Sequence, residues 1–167
     1  MKFSYSFNMP SAASAQPEEK LHPYEYNEFL LSLPEDWKQV PTAEERTFNW
    51  HSEKEKAGIT VSADFYEVPE SKWAALAEVN LDSRHKAFSA VSDEPVTVMS
   101  RSVKPYSGGG GLELSYAAHA SGATYLYLGY VTSRKVFNFT LTSGAGRVAA
   151  IDLYNKTMQK RLRVKVP

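Results

Sequence analysis

The chain has 167 residues, and its 19 basic and 19 acidic side chains give a formal net charge of zero. This balance removes the electrostatic case for binding nucleic acid or an anionic membrane surface. The sequence has no cysteine, which excludes disulfides, thiol catalysis and thiolate zinc sites. No apolar run reaches the ~18 residues that a membrane-spanning helix needs, so no transmembrane segment is predicted.

The first 23 residues are rich in Ser, Ala, Pro and Glu, a composition typical of a disordered leader. Residues 24–167 are predicted to form a single domain. Within the leader, Ala13–Ala15 resembles a signal-peptidase site, whereas Phe3–Pro10 is too short and too polar for the apolar region of a signal peptide. Two locations therefore stay open: cytoplasmic, or periplasmic or otherwise exported if cleavage occurs before Gln16.

The first elements after the leader are predicted strands. One lies near residues 26–33 and is stopped by Pro34, because proline cannot donate to a sheet ladder. Two further strands, Arg46–His51 and Ile59–Tyr66, have alternating apolar side chains and are joined by a charged turn. This pattern predicts a β-hairpin with Phe48 and Phe65 on apolar faces.

Apolar stripes at helical spacing predict two long helices. The first extends from Lys72 to about Ala90 and has one apolar and one charged face, so it should lie on a sheet. The second covers Val148–Leu162, and the basic side chains near its end complement the helix dipole.

Four strands are predicted between the helices. One covers Val96–Lys104, and the tetraglycine Gly108–Gly111 connects it to a three-stranded meander within Leu112–Thr142. Groups of antiparallel strands interrupted by two helices are typical of the α+β class. The sequence therefore predicts an antiparallel sheet of about six to seven strands packed by two long helices.

No spacing of reactive side chains predicts an active site. The four histidines lack the paired spacing of a helical metal site, and no HExxH motif is present. The tetraglycine lacks the Lys-Ser or Lys-Thr and the helix that follow in a phosphate-binding loop. The sequence predicts no enzyme, no cofactor and no metal; a small hydrolase or ligand-binding enzyme that uses His119, Asp64 and a tyrosine stays as an alternative.

Two aromatic pairs are the predicted partner-binding residues: Tyr125 with Tyr127, and Phe137 with Phe139. Residues i and i+2 of a strand share a face, so each pair presents two rings to one side of the sheet. If the helices leave one face bare, such rings form a platform for a protein partner. The alternative is that the helices cover them. A protein partner is predicted, and a homodimer is a compatible arrangement.

Three groups of residues carry a family resemblance, and together they span residues 24–164. They are Tyr26, Phe29, Leu33, Pro34 and Trp37, then Ile59–Tyr66 with the Ser71–Phe88 helix, then Leu112–Tyr116, Tyr125–Val131 and Val136–Thr142 with the closing helix. In these groups the chain resembles the PsbP/Mog-type superfamily, which includes the PsbP subunit of photosystem II, the Ran-binding Mog protein, small bacterial periplasmic proteins and chaperones of type VI secretion effectors.

The resemblance implies an α/β/α sandwich around an antiparallel sheet and a role in binding rather than catalysis. The most specific functional hypothesis is a non-enzymatic bacterial adaptor or chaperone for a secreted or membrane-directed partner, such as a type VI secretion effector. The alternative is an exported accessory protein of the cell envelope.

Overall fold

The computed structural model describes residues 20–165. The predicted cleavage site at Ala13–Ala15 lies outside these residues, and the first strand already begins at Leu21, inside the predicted leader. The elements in chain order are β1 (Leu21–Glu25), β2 (Phe29–Pro34), β3 (Lys38–Val40), β4 (Thr47–Ser52), β5 (Ala57–Phe65), α1 (Trp73–Val91), β6 (Thr97–Pro105), β7 (Gly111–Ala120), β8 (Ala123–Thr132), β9 (Lys135–Ser143), α2 (Arg147–Tyr154) and β10 (Leu162–Val164).

Seven strands form one antiparallel sheet in the order β3–β4–β5–β9–β8–β7–β6. The predicted hairpin β4–β5 and meander β7–β8–β9 are both present, which confirms the antiparallel α+β class. The tetraglycine is the turn between β6 and β7, where Gly109 and Gly110 have φ values of 83° and 80°. Residues with a Cβ rarely adopt these angles, so the turn requires glycine here.

A smaller antiparallel sheet, β10–β2–β1, lies with α2 on one face of the large sheet. Helix α1 lies on the other face, where its Ala77, Leu81 and Phe88 are buried against β7 and β8. The large sheet is therefore enclosed between two layers of different construction, and each contributes its own apolar core.

The prediction of two long helices is wrong for the second one. Helix α2 has eight residues and passes into a π-helical turn, Asn155–Gln159. The chain then turns into β10, because Leu162 and Val164 pair with β2. Val148 and Ile151 of the predicted apolar stripe are exposed, and Ala150 and Leu153 are the buried positions of α2 instead. Met158 and Leu162, further along the predicted stripe, are buried as expected.

Helix α1 covers only the part of its sheet face formed by β6, β7 and β8. On the rest of that face, the residues paired in line with Tyr127 across β9, β5 and β4 are Thr140, Thr60 and Asn49. Thr60 Oγ1 donates a hydrogen bond of 2.8 Å to Asn49 Oδ1. In the described structure Thr60 is exposed and Thr140 is half-buried, so this part of the face presents a polar rather than an aromatic surface.

Candidate functional site

The four predicted partner-binding residues lie on opposite faces of the large sheet. Tyr125 and Tyr127 face α1, whereas Phe137 and Phe139 face the small sheet and α2. Tyr127 is 1% exposed and both phenylalanines are 0% exposed. These three rings therefore belong to the core, and the four residues do not form an exposed platform. Their role in binding a partner stays a prediction, for which the half-buried Tyr125 is best placed because it borders a surface groove.

Tyr127 is held in a hydrogen-bonded network at the margin of α1. Its hydroxyl donates to Asn138 Oδ1 at 2.6 Å and accepts from Asn80 Nδ2 at 3.0 Å, and Asn138 Nδ2 donates to Ser62 Oγ at 3.3 Å. The Arg84 guanidinium lies 5.2 Å from the centre of the Tyr127 ring. Burial raises the pKa of Tyr127, so its phenol stays neutral. The network joins α1 to three strands.

Tyr125 lines a groove of about 290 Å³ at the C-terminal end of α1. The ring of Phe88 stacks on it with 5.2 Å between the centroids, and the exposed Val91 lies on the rim. The groove combines this apolar surface with the polar side chains of Ser92, Asp93, Ser121 and Thr142.

A second opening, which we call the aromatic cleft, has a volume of about 180 Å³. It lies between the β1–β2 turn and the large sheet, at the start of β4 and β9 and the end of β5. The strand register places Phe48 opposite Val61 and Phe137 opposite Ala63, and the small side chain of Ala63 leaves room above the sheet. The aromatic rings that line the cleft are those of Tyr26, Phe29, Phe48, Phe65 and Phe137.

Two basic side chains lie over the rings of the aromatic cleft. Arg46 Cζ is 5.3 Å from the centre of the Phe65 ring, and Lys135 Nζ is 4.9 Å from the centre of Phe137 and 6.0 Å from that of Phe65. Such cation–π contacts hold a charged group in place without neutralising it. Within the described part of the chain, Lys135 has no carboxylate at ion-pair distance, and Arg46 has only its exposed neighbour Glu45, at 3.9 Å.

The rim of the aromatic cleft also exposes aromatic surface. Phe65, which lines the cleft, is 42% exposed. Arg46 has a φ of 55°, in the left-handed region that a side chain with a Cβ enters at a cost of roughly 1 kcal/mol. Its carbonyl oxygen accepts the Ala63 N–H at 3.1 Å. Backbone strain of this kind is concentrated at binding sites, which favours a functional role for Arg46.

The dyad considered for a hydrolase is not formed. His119 lies on β7, where its Nδ1 is 2.9 Å from Thr124 Oγ1, and Asp64 lies exposed on β5. Three strand spacings separate β5 from β7, which places the two residues at least about 14 Å apart. Across residues 20–165 no group of three His, Cys, Asp or Glu side chains is arranged to hold a metal ion, and no helix is long and apolar enough to cross a membrane.

No protein-family model matches the sequence, and no curated protein matches it either. Among solved structures, the fold is similar to the solution structure of cyanobacterial PsbP (CyanoP) from Synechocystis sp. PCC 6803. The TM-score is 0.62 at 14% identity, and the match covers 90% of this chain and 96% of that one. The chain has a PsbP-like fold.

At 14% identity the likeness to CyanoP concerns the fold alone. A crystal structure from Bacteroides thetaiotaomicron overlaps 83% of this chain and 45% of its own, but with a TM-score of 0.39 and 12% identity. The predicted PsbP-like architecture is therefore confirmed, whereas the Mog-type and secretion-related relatives named by the sequence resemblance stay predictions.

Sequence reasoning did not assign Tyr26, Arg46, Phe65 and Lys135 to a site. One signal was present: Phe65, at the end of an alternating strand, is followed directly by Tyr66, so one of two adjacent aromatic rings must face away from the core. The position of Tyr26 above the sheet depends on the small sheet, which local patterns do not reveal.

Proposed function

We propose that this protein is a non-enzymatic binding module that holds a segment of a protein partner in the aromatic cleft. The observation that carries the proposal is the combination of five aromatic rings with Arg46 and Lys135 at one opening. A cavity of about 180 Å³ is smaller than the roughly 300–1,000 Å³ of ordinary small-molecule sites. It suits one bulky apolar side chain.

The partner segment we propose has an apolar anchor next to an acidic residue. The anchor would bury the exposed part of Phe65, and full burial of such a side chain contributes about 1.5–3 kcal/mol. The acidic group would meet Arg46 and Lys135, which are already positioned by the rings and therefore lose little freedom on binding. The charges would chiefly supply specificity and faster association.

The narrower partner class is a secreted or membrane-directed protein, such as a type VI secretion effector, for which this chain would act as adaptor or chaperone. Its support is the family resemblance of the sequence. An exported accessory protein of the cell envelope is the second candidate, favoured by the Ala13–Ala15 sequence. N-terminal sequencing of the protein from its host separates the two: a mature start at Gln16 supports export, and a start at Met1 contradicts it.

The binding proposal is tested by placing a photo-crosslinking amino acid at position 65, and in a matched protein at position 148, which is exposed on α2 outside the cleft. We expect one discrete protein to be crosslinked from position 65 and not from position 148, through a segment that contains an acidic residue. Equal crosslinking from both positions would contradict the proposal.

Two glycine substitutions then measure the part of Arg46 in binding the crosslinked segment. Arg46 and Lys56 both have left-handed backbone angles, with φ values of 55° and 53°, and only Arg46 lines the cleft. Arg46→Gly should weaken binding about tenfold, because it removes a charged contact, whereas Lys56→Gly should leave binding unchanged. Equal effects of the two substitutions would refute the role of Arg46.

A further inference from the structure

A third opening, which we call the tyrosine cavity, lies on the same sheet face as the aromatic cleft but beside β10 and the end of α2. Its volume is about 280 Å³. The strand register aligns Lys104, Glu113 and Tyr130 in one row across β6, β7 and β8. The residues that line the cavity are Glu113, Leu128, Tyr130, Tyr154, Met158, Gln159, Leu162 and Val164.

A carboxylate lies among aromatic rings in this cavity. Tyr130 donates its hydroxyl to Glu113 Oε2 at 3.2 Å, and the ring of Tyr106 meets that of Tyr130 edge-on at 5.3 Å. Tyr154 lines the opposite wall. Burial, with the charge of Glu113, raises the pKa of both Tyr130 and Tyr154, so both phenols stay neutral.

The π-helical turn Asn155–Gln159 is a second observation that points to this cavity, since it supplies Met158 and Gln159 to the lining. Thr157 Oγ1 donates to the carbonyl oxygen of Leu153 at 2.7 Å within this turn. Turns of this type are rare, and they frequently occur at functional sites.

Lys104 competes for the Glu113 carboxylate. Lys104 Nζ is 3.5 Å from Glu113 Oε1, with 67% of the Lys104 side chain exposed and 24% of that of Glu113. An ion pair formed by so exposed a lysine contributes about 0–1 kcal/mol, so a cation that enters the cavity can displace it. Lys104 therefore acts as an internal competitor rather than as a permanent partner.

We infer that the tyrosine cavity binds an alkylammonium group, carried either by a lysine side chain of a partner or by a free amine. Aromatic rings attract a cation through their electron-rich faces, and the Glu113 carboxylate supplies the opposite charge. Leu128 and Met158 offer apolar contacts for the alkyl chain. This site is separate from the aromatic cleft, selects the opposite charge, and does not depend on the function proposed above.

The inference is tested on the full chain with tyrosine-labelled NMR spectra. The probes are pentylamine and N-acetyl-lysine-N-methylamide, with pentanol and N-acetyl-norleucine-N-methylamide as neutral controls. We expect the resonances of Tyr130 and Tyr154 to shift with both ammonium probes and not with the controls. Stronger binding of the lysine derivative would assign the site to a protein side chain, stronger binding of pentylamine to a free amine, and equal binding to the ammonium group from either source.

Two substitutions should change the affinity in opposite directions. Glu113→Gln should weaken pentylamine binding about tenfold, because a charge-assisted hydrogen bond is lost. Lys104→Gln should strengthen it about two- to fivefold, because the internal competitor is removed. If the Lys104–Glu113 pair had only a structural role, the two substitutions would not change the affinity for pentylamine in opposite directions. Binding of the neutral controls as strong as that of the amines, or weaker binding in both variants, would overturn the inference; thermal unfolding confirms that each variant is folded.

Discussion

Replacing Gly129 by alanine tests how closely Tyr127 packs against its own strand. Both residues point to the α1 face of β8, and the tyrosine ring lies along the strand over Gly129. A Cβ at position 129 would lie 2.6 Å from Tyr127 Cζ and would also overlap its hydroxyl oxygen. Carbon atoms in contact are normally about 3.5–4.0 Å apart. Gly129 does not have a positive φ, so space and not backbone conformation requires glycine here.

The loss of stability caused by Gly129→Ala follows from the interactions that the Tyr127 ring loses when it moves. Moving the ring by about 1 Å breaks both hydrogen bonds of the Tyr127 hydroxyl, to Asn138 and from Asn80, at about 1 kcal/mol each. Overpacking of a buried site adds about 1–3 kcal/mol, and exchanging glycine for alanine in a strand returns about 0.5–1 kcal/mol. We expect Gly129→Ala to lower the free energy of unfolding by roughly 2–4 kcal/mol, measured by guanidinium denaturation at an unchanged m-value.

A double-mutant cycle with Tyr127→Leu isolates the contact. The leucine lacks the atoms that overlap the new Cβ, so Gly129→Ala should be nearly neutral in that background. Gly58→Ala is the matched control in β5, because a Cβ there meets its nearest neighbour, the Trp50 carbonyl oxygen, at an ordinary 3.6 Å. A loss below about 1 kcal/mol for Gly129→Ala, or the same loss in both backgrounds, would refute this packing argument.

Two further predictions concern buried rings. Tyr154 has its pKa raised from 10.0 to about 12 by burial, so its neutral phenol contributes stability that is complete below pH 10 and is lost as the pH rises towards 12. The unfolding free energy should therefore fall more steeply above pH 10 in the wild type than in Tyr154→Phe, and parallel curves would contradict this. Phe139→Ala should cost about 3–5 kcal/mol in denaturant unfolding, because the ring is fully buried against Phe29 and Tyr130; a loss below about 1.5 kcal/mol would show that the site collapses around the deletion.

Local periodicity was sufficient for the elements whose partners lie close in sequence. Helix α1 was predicted over residues 72–90 and is observed at Trp73–Val91, and the meander strands were found by their alternation. Strand β10 was missed because the reason for its extended form is the pairing of Leu162 with Leu31, far away in the chain. Strand β1 was missed because its composition resembles a leader and its pairing with β2 is a tertiary effect.

The incomplete covering of the large sheet by α1 can be predicted from the widths of a sheet and a helix rather than from the hydrophobic pattern of the sequence. Seven strands span about 29 Å across the sheet, whereas a helix with its side chains is about 10–12 Å wide. One helix on a face therefore leaves strands uncovered, and the threonine and asparagine positions of β4 and β5 mark which ones, since Asn49 and Thr60 alternate with buried Trp50 and Ile59.

The zero net charge of the chain is a sum over surfaces of opposite sign. Arg46 and Lys135 lie over rings of the aromatic cleft, which Glu28 also lines, whereas Glu113 lies in the tyrosine cavity. The two openings are close together, because Phe137 of the aromatic cleft and Tyr130 of the tyrosine cavity are directly paired across β9 and β8. Solvent and salt screen the field of such patches within about 10 Å, so they select ligands only on contact. The zero net charge therefore argues against long-range attraction of a polyanion. Whether a ligand of one charge is preferred at short range depends instead on where individual side chains lie.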